Sequence, residues 1–175
     1  MLATPTLTPT GPHPQLMAWL AERAIEHEVH EHAATFTARE TARAEGVDPR
    51  TFAKVVAVRT DDDRRYLLVL DATDQVDLIK ARRALFARNV RLLAEAEMAA
   101  LAPDCEAGTL PAVGILFHLP MVADYAVRED PDISFNAGSH RYSVRVDRFA
   151  WERATAVRYA DLAIEGHDLP AWARS

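Results

Sequence analysis

Cysteine is almost missing from this chain of 175 residues, where Cys105 stands alone. A single thiol excludes an intramolecular disulfide framework and fits a reducing compartment. Long apolar runs are missing too, and nothing approaches the roughly 20 consecutive apolar residues of a membrane-spanning helix. The opening stretch "MLATPTLTPTGPHP" lacks the basic flank and apolar centre of a secretory signal. Its Pro, Thr and Gly content predicts a flexible tail over residues 1–13. A basic surplus is also lacking, since 20 Lys and Arg face 26 Asp and Glu for a net charge of −6. That balance argues against a protein that coats long nucleic acid, and DNA is not expected as a partner. These absences together predict a cytoplasmic protein with no membrane partner. No Gly-x-Ser-x-Gly elbow, Walker loop or dinucleotide fingerprint occurs, so a serine triad and nucleotide-cofactor chemistry have no support.

What remains is an ordinary globular composition, 49% hydrophobic and 26% charged, in a chain long enough for one buried core. Helical and extended patterns mix without repeats. Leu16, Trp19, Leu20 and Ala24 form a stripe at helical spacing after Pro14. "EVHEH" reads as extended, and Thr37 with Glu40 forms a capping box for a short helix closed by Gly46. "FAKVVAV" and "YLLVL" flank the polar "DDDRR" and predict a hairpin. Helices are expected from Asp74 through "QVDLIKARRALF", over "AEAEMAALA", and over "DRFAWERATAVRY". "VGILF", "PMVADY", "DISF" and "YSVRV" suit mostly antiparallel strands of one sheet. The expected fold is α+β, a mixed, mostly antiparallel curved sheet shaped as a partial barrel and flanked by helices. One domain is expected over 14–164, with a C-terminal tail over 165–175.

Several segments carry candidate chemistry. In "TFAKVVAVRT", Lys54 shares a strand face with Phe52, Val56 and Val58, an odd setting for an unpaired ammonium. The same lysine can also bend its amine into water at a strand end. "AGTLPAVG" places Gly108, Pro111 and Gly114 in a loop able to present backbone N–H groups to an oxygen. "FNAGSH" gathers Asn136, Gly138, Ser139 and His140 at one turn. Taken singly, each glycine segment is more often a plain turn. Lys80, Arg82, Arg83, Arg88 and Arg91 form a basic run free of acidic residues, either an RNA-binding patch or a solvated helix face. The histidines of "HEVHEH" miss the zinc-protease spacing, and no metal is expected. Cys105 has no base at a recognised spacing, which favours a packing role.

"EVHEHAATFTARE", "FAKVVAV", "PDCEAGTLPAVG" and "FNAGSH", in this order over most of the chain, resemble the YbaK/prolyl-tRNA synthetase-associated family of aminoacyl-tRNA editing domains. The resemblance implies a mixed α/β fold with a curved sheet. It also implies a trans-acting hydrolase that removes a small wrong amino acid, typically from tRNA for proline, without metal or organic cofactor. The family lysine corresponds to Lys54, its glycine loop to Gly108–Gly114, and the histidine of its turn to His140. The implied partners are the acceptor end of aminoacyl-tRNA and prolyl-tRNA synthetase. On this view Lys54 holds phosphate or ribose, N–H groups near Gly108 form an oxyanion hole, and the terminal ribose hydroxyl assists attack. Phe52, Val56, Ile115 and Phe117 would wall a small amino-acid pocket. Pro111, Gly114, Asn136, Gly138 and Ser139 would contact substrate. Two positions depart from many relatives: Ala112 follows Pro111 where a second proline is common, and Ala33 follows the second histidine of "HEH". A non-catalytic tRNA- or synthetase-binding module on the same fold is the alternative.

Overall fold

The computed structural model describes residues 10–165. Residues 1–9 and 166–175, most of both expected tails, lie outside the described residues. His13 at the N-terminal edge is buried and donates its backbone N–H to the Ala137 carbonyl at 2.8 Å.

Local signals place most elements. Helix α1 (Pro14–Glu22) starts on Pro14, whose missing N–H costs nothing in a first turn, and buries Leu16, Trp19 and Leu20. It ends before Ala24, which takes a positive φ. Strand β1 (His27–Glu31) follows. Helix α2 (Ala38–Glu45) opens on the expected capping box of Thr37 and Glu40 and stops at a left-handed Gly46. Strands β2 (Ala53–Thr60) and β3 (Arg65–Asp71) form the expected hairpin, pairing Ala53 with Asp71 through Arg59 with Arg65.

Helix α3 (Leu78–Ala84) starts later than Asp74, because the Asp77 carboxylate accepts from the Ile79 and Lys80 N–H groups and caps it there. Strand β4 (Val90–Leu92) and helix α4 (Glu95–Leu101) come next. The expected strand "VGILF" is a 3₁₀ turn over Gly114–Phe117. Strands β5 (Met121–Asp124), β6 (Asp132–Asn136) and β7 (Tyr142–Asp147), helix α5 (Arg148–Thr155) and strand β8 (Arg158–Ala160) complete the chain.

The fold is α+β and mostly antiparallel, but the strands divide between two sheets that do not close into a barrel. One has the order β1-β7-β6 and the other β4-β2-β3-β5-β8. β5 lies parallel to both β3 and β8, while the remaining pairs are antiparallel. Both faces of the five-stranded sheet are covered. Ala53, Ala57, Leu67 and Val69 join the main core with α1, α5 and the three-stranded sheet. Val58, Leu68 and Leu70 pack beneath Ala81 of α3 and Leu85 at its C-terminal cap. That double cover explains the unbroken apolar run "YLLVL". The sheets touch where Phe52 bridges Ser134 in parallel. Among the described residues no helix is long and apolar enough to cross a membrane.

Candidate functional site

Lys54 is two residues past the Phe52–Ser134 bridge, and Asn136 is two residues past it on the other chain segment. A parallel bridge carries both side chains the same way, so the register of one contact brings them to one place. They line a cleft of about 400 Å³ together with Thr37, Ala38 and Arg39 from the start of α2, Val55 and Val56, the 72–75 segment and Gly108. Lys54 has the same facing as Val56 and Val58, but it lies at the strand end, where the apolar cluster under α3 gives way to this cleft.

The electrostatics of the cleft are mixed. Lys54 is half-buried, and burial pulls its pKa below the usual lysine value. Asp74 opposes that shift and Arg39 reinforces it. A partly dehydrated ammonium with a second cation nearby is a site that favours an anionic ligand. Asn136 is buried, and its Oδ1 has no hydrogen-bond partner among the described residues. A buried amide oxygen without a donor is costly, and a ligand donor would relieve it.

The two glycine segments meet. Glu106 donates its N–H to the Gly138 carbonyl at 3.0 Å, and Gly138 donates to the Thr109 carbonyl at 3.0 Å. Gly108 (φ 78°) and Gly138 (φ 81°) are both left-handed, the conformation that makes glycine fitting at each turn. The Gly138 turn packs tightly, since a Cβ there would come within 3.1 Å of His13 Cβ.

The expected site residues separate into three groups. Lys54, Val56, Gly108 and Asn136 share the cleft. His140 stands beside it: its N–H donates to Glu106 Oε2 at 3.1 Å, its Nε2 lies 3.6 Å from the same oxygen, and its ring lies 5.1 Å from Phe36. Phe52, Pro111, Gly114, Gly138 and Ser139 are buried and do not line this cleft. Phe52 packs with Ala42 and Ala72. At Gly114 a Cβ would lie 2.2 Å from the Leu119 carbonyl oxygen. Ser139 Oγ accepts from the Arg141 N–H. Ile115 lies in a different surface depression with Tyr66 and Arg158, and Phe117 packs against the main core, so neither walls the cleft. Trp151 Nε1 donates to the Ala112 carbonyl at 2.7 Å, anchoring the loop at that residue.

The basic run is split by its own salt bridges. Lys80 Nζ bonds Asp161 at 3.0 Å and the Ala163 carbonyl at 2.7 Å, and Arg91 grips Glu97 through two 2.8 Å bonds. Arg82, Arg83 and Arg88 remain exposed, with no ion pair among the described residues. His32 is enclosed rather than open to a metal, donating Nδ1–H to the Ala33 carbonyl with Nε2 3.6 Å from Glu45. The described residues contain no cluster of three His, Cys, Asp or Glu side chains fit for a metal ion. Burial pushes the Cys105 thiol up to about 12, which leaves little nucleophilic thiolate near neutrality.

Thr37, Arg39 and Asp74 belong to the cleft and escaped the sequence reading. Arg39 carried a signal: a cation in the first turn of a helix opposes the helix dipole and calls for another explanation.

The sequence matches the family model of the aminoacyl-tRNA editing domain over residues 32–154. Among solved structures, a candidate trans-editing enzyme for prolyl tRNA synthetase aligns with a TM-score of 0.77 at 24% identity, covering 94% of this chain and 100% of its own. A scaffold protein from computational grafting of linear epitopes aligns at 0.76 and 25% identity, with 94% and 100% coverage. The hypothetical protein APE2540 aligns at 0.78 and 18% identity, with 85% and 99% coverage. Curated protein sequences contain no significant match.

Proposed function

The chain belongs to the aminoacyl-tRNA editing domain family, and from that membership we propose that it is a trans-acting deacylase of mischarged tRNA. The substrate we favour is tRNA for proline carrying a small wrong amino acid, in line with the relative described as a candidate trans-editing enzyme for prolyl tRNA synthetase. The synthetase would then be a working partner and the cytoplasm the working compartment. The observation that carries the reading is the convergence of Lys54, Gly108 and Asn136 on one cleft beside Arg39.

In the proposed reaction, water adds to the ester carbonyl and the bond from the carbonyl carbon to the ribose oxygen breaks. The products are a free amino acid and a tRNA with its terminal hydroxyl restored. Lys54 and Arg39 hold the phosphate and ribose end of the substrate as fixed positive charges. Backbone N–H groups around Gly108 take the negative charge that develops on the carbonyl oxygen. Asn136 Oδ1 accepts from a substrate hydroxyl or ammonium. His140, held by Glu106, acts by fixing the cleft wall rather than by touching the ester. The terminal ribose hydroxyl orients the attacking water, a task assigned to no protein side chain.

A panel of mischarged tRNAs tests this directly. The expected result is release of at least one amino acid well above its spontaneous rate, with Lys54→Ala reducing that rate at least tenfold. Release at the spontaneous rate for every tRNA, with tRNA still bound, would instead favour the binding module.

A further inference from the structure

Phe36 is a large apolar side chain left 75% exposed beside the cleft. Its backbone is not loose. The Phe36 N–H donates to Glu40 Oε2 at 2.9 Å, and the adjoining Thr35 donates its N–H to the His140 carbonyl at 3.0 Å. Thr35 Oγ1 also lies 2.6 Å from Thr41 Oγ1. The next residue, Thr37, caps α2 and lines the cleft. The ring is therefore presented to solvent by a pinned segment, with His140 tilted against it at 46°. His140 is held in turn by Glu106, two residues before Gly108, which also lines the cleft. Phe36 and His140 thus link the Thr37 and Gly108 segments of the lining, with an open aromatic surface beside a cleft that holds Lys54 and Arg39.

A fixed, exposed aromatic surface next to cationic groups is the arrangement that receives nucleobases, because stacking and phosphate attraction act on adjoining parts of one nucleotide. Resting on the deacylase reading, we propose that Phe36, backed by His140, is the stacking platform for the terminal base of the RNA whose ester enters the cleft. Phe36 is then a positioning residue. It fixes the nucleoside so that the ribose and ester fall beside Lys54 and Gly108, and it leaves the chemistry to them.

The test compares equilibrium binding of two acceptor-stem minihelices, one ending in CCA and one whose last nucleotide lacks its base. The full-length wild type is compared with Phe36→Ala, Phe36→Leu and Phe36→Trp, with mischarged-tRNA hydrolysis measured in parallel. Wild type should prefer the base-bearing RNA by about 5- to 100-fold. Phe36→Ala and Phe36→Leu should close that gap, and Phe36→Trp should keep it. Leu separates stacking from simple apolar contact, and circular dichroism checks that each variant is folded. No preference in wild type, a preference that survives Phe36→Ala, or no binding of either RNA would overturn the platform. A preference that behaves as expected in a protein without hydrolytic activity would uphold the platform and sink the deacylase reading instead.

Discussion

Asp71 closes β3 buried and within reach of four other aspartates, and that placement makes a sharp prediction about stability. The residue is 6% exposed. Burial, followed by the charges of Asp130, Asp74, Asp124 and Asp48, pushes its carboxyl from 3.8 up to about 8. An unfolded chain gives up this proton near 3.8, while the folded chain keeps it until about 8. Between those values the native state binds more protons than the unfolded state, so stability falls as pH rises and levels off above the window. At about 1.4 kcal/mol per pH unit, a window of about four units gives an upper figure of roughly 5–6 kcal/mol for this group. Asp130, pushed up to about 6, adds a slope of the same sign over a shorter range. Asp71→Asn keeps the shape and cannot ionise. In urea denaturation it should exceed wild type by about 1–2 kcal/mol at pH 5 and by several kcal/mol at pH 8.5. Equal pH slopes for the two proteins, or a less stable variant at pH 8.5, would refute the reasoning.

The cleft yields further expectations. Burial lowers the Lys54 pKa, so its cationic form is lost at a lower pH than the roughly 10.4 of free lysine. The alkaline limb of deacylation should therefore fall below that value in wild type and move upward in whatever activity Lys54→Arg retains. Gly114→Ala pushes a Cβ to 2.2 Å from the Leu119 carbonyl oxygen, and denaturant titration should show a loss of about 2 kcal/mol or more. Gly108→Ala meets no atom within 4 Å and keeps the backbone N–H. It should cost only the left-handed strain of about 1 kcal/mol, with no clash. Charge reversal at Arg82 and Arg83 should weaken tRNA binding and flatten its salt dependence by about 1–2 in slope, whereas neutralising the paired Lys80 should not change that slope.

How much was legible in the sequence followed the range of the forces involved. The capping box of Thr37 and Glu40 and the hairpin around "DDDRR" are decided within a few residues, and both formed where expected. The C-terminal strands are decided by distant partners. β5 inserts in parallel between β3 and β8, while β6 and β7 leave for another sheet. No local pattern distinguishes those outcomes. "VGILF" is an apolar run too short for periodicity to arbitrate, and it curls because Gly114 must lie against the Leu119 carbonyl. The three site motifs were visible, but their buried members could not be told from their cleft members. Gly108 and Gly114 read alike as letters, yet one lines the cleft and the other lies under Met121.

Register decides what the cleft contains. Lys54 reaches it only because Phe52 is the residue that bridges Ser134 and because β2 pairs Lys54 with Leu70. Side chains alternate along a strand, so a slip of one residue would exchange the two faces of β2. The Val55 side chain, which now packs against the main core at the edge of the cleft, would take the place of the ammonium, and Lys54 would point toward Leu67, Val69 and Phe135, all buried. An unpaired ammonium there has no compensating partner and would cost several kcal/mol. The penalty that makes Lys54 look misplaced among valines therefore also pins the hairpin register. The residue proposed to hold the substrate helps to set the strand alignment that builds its own site.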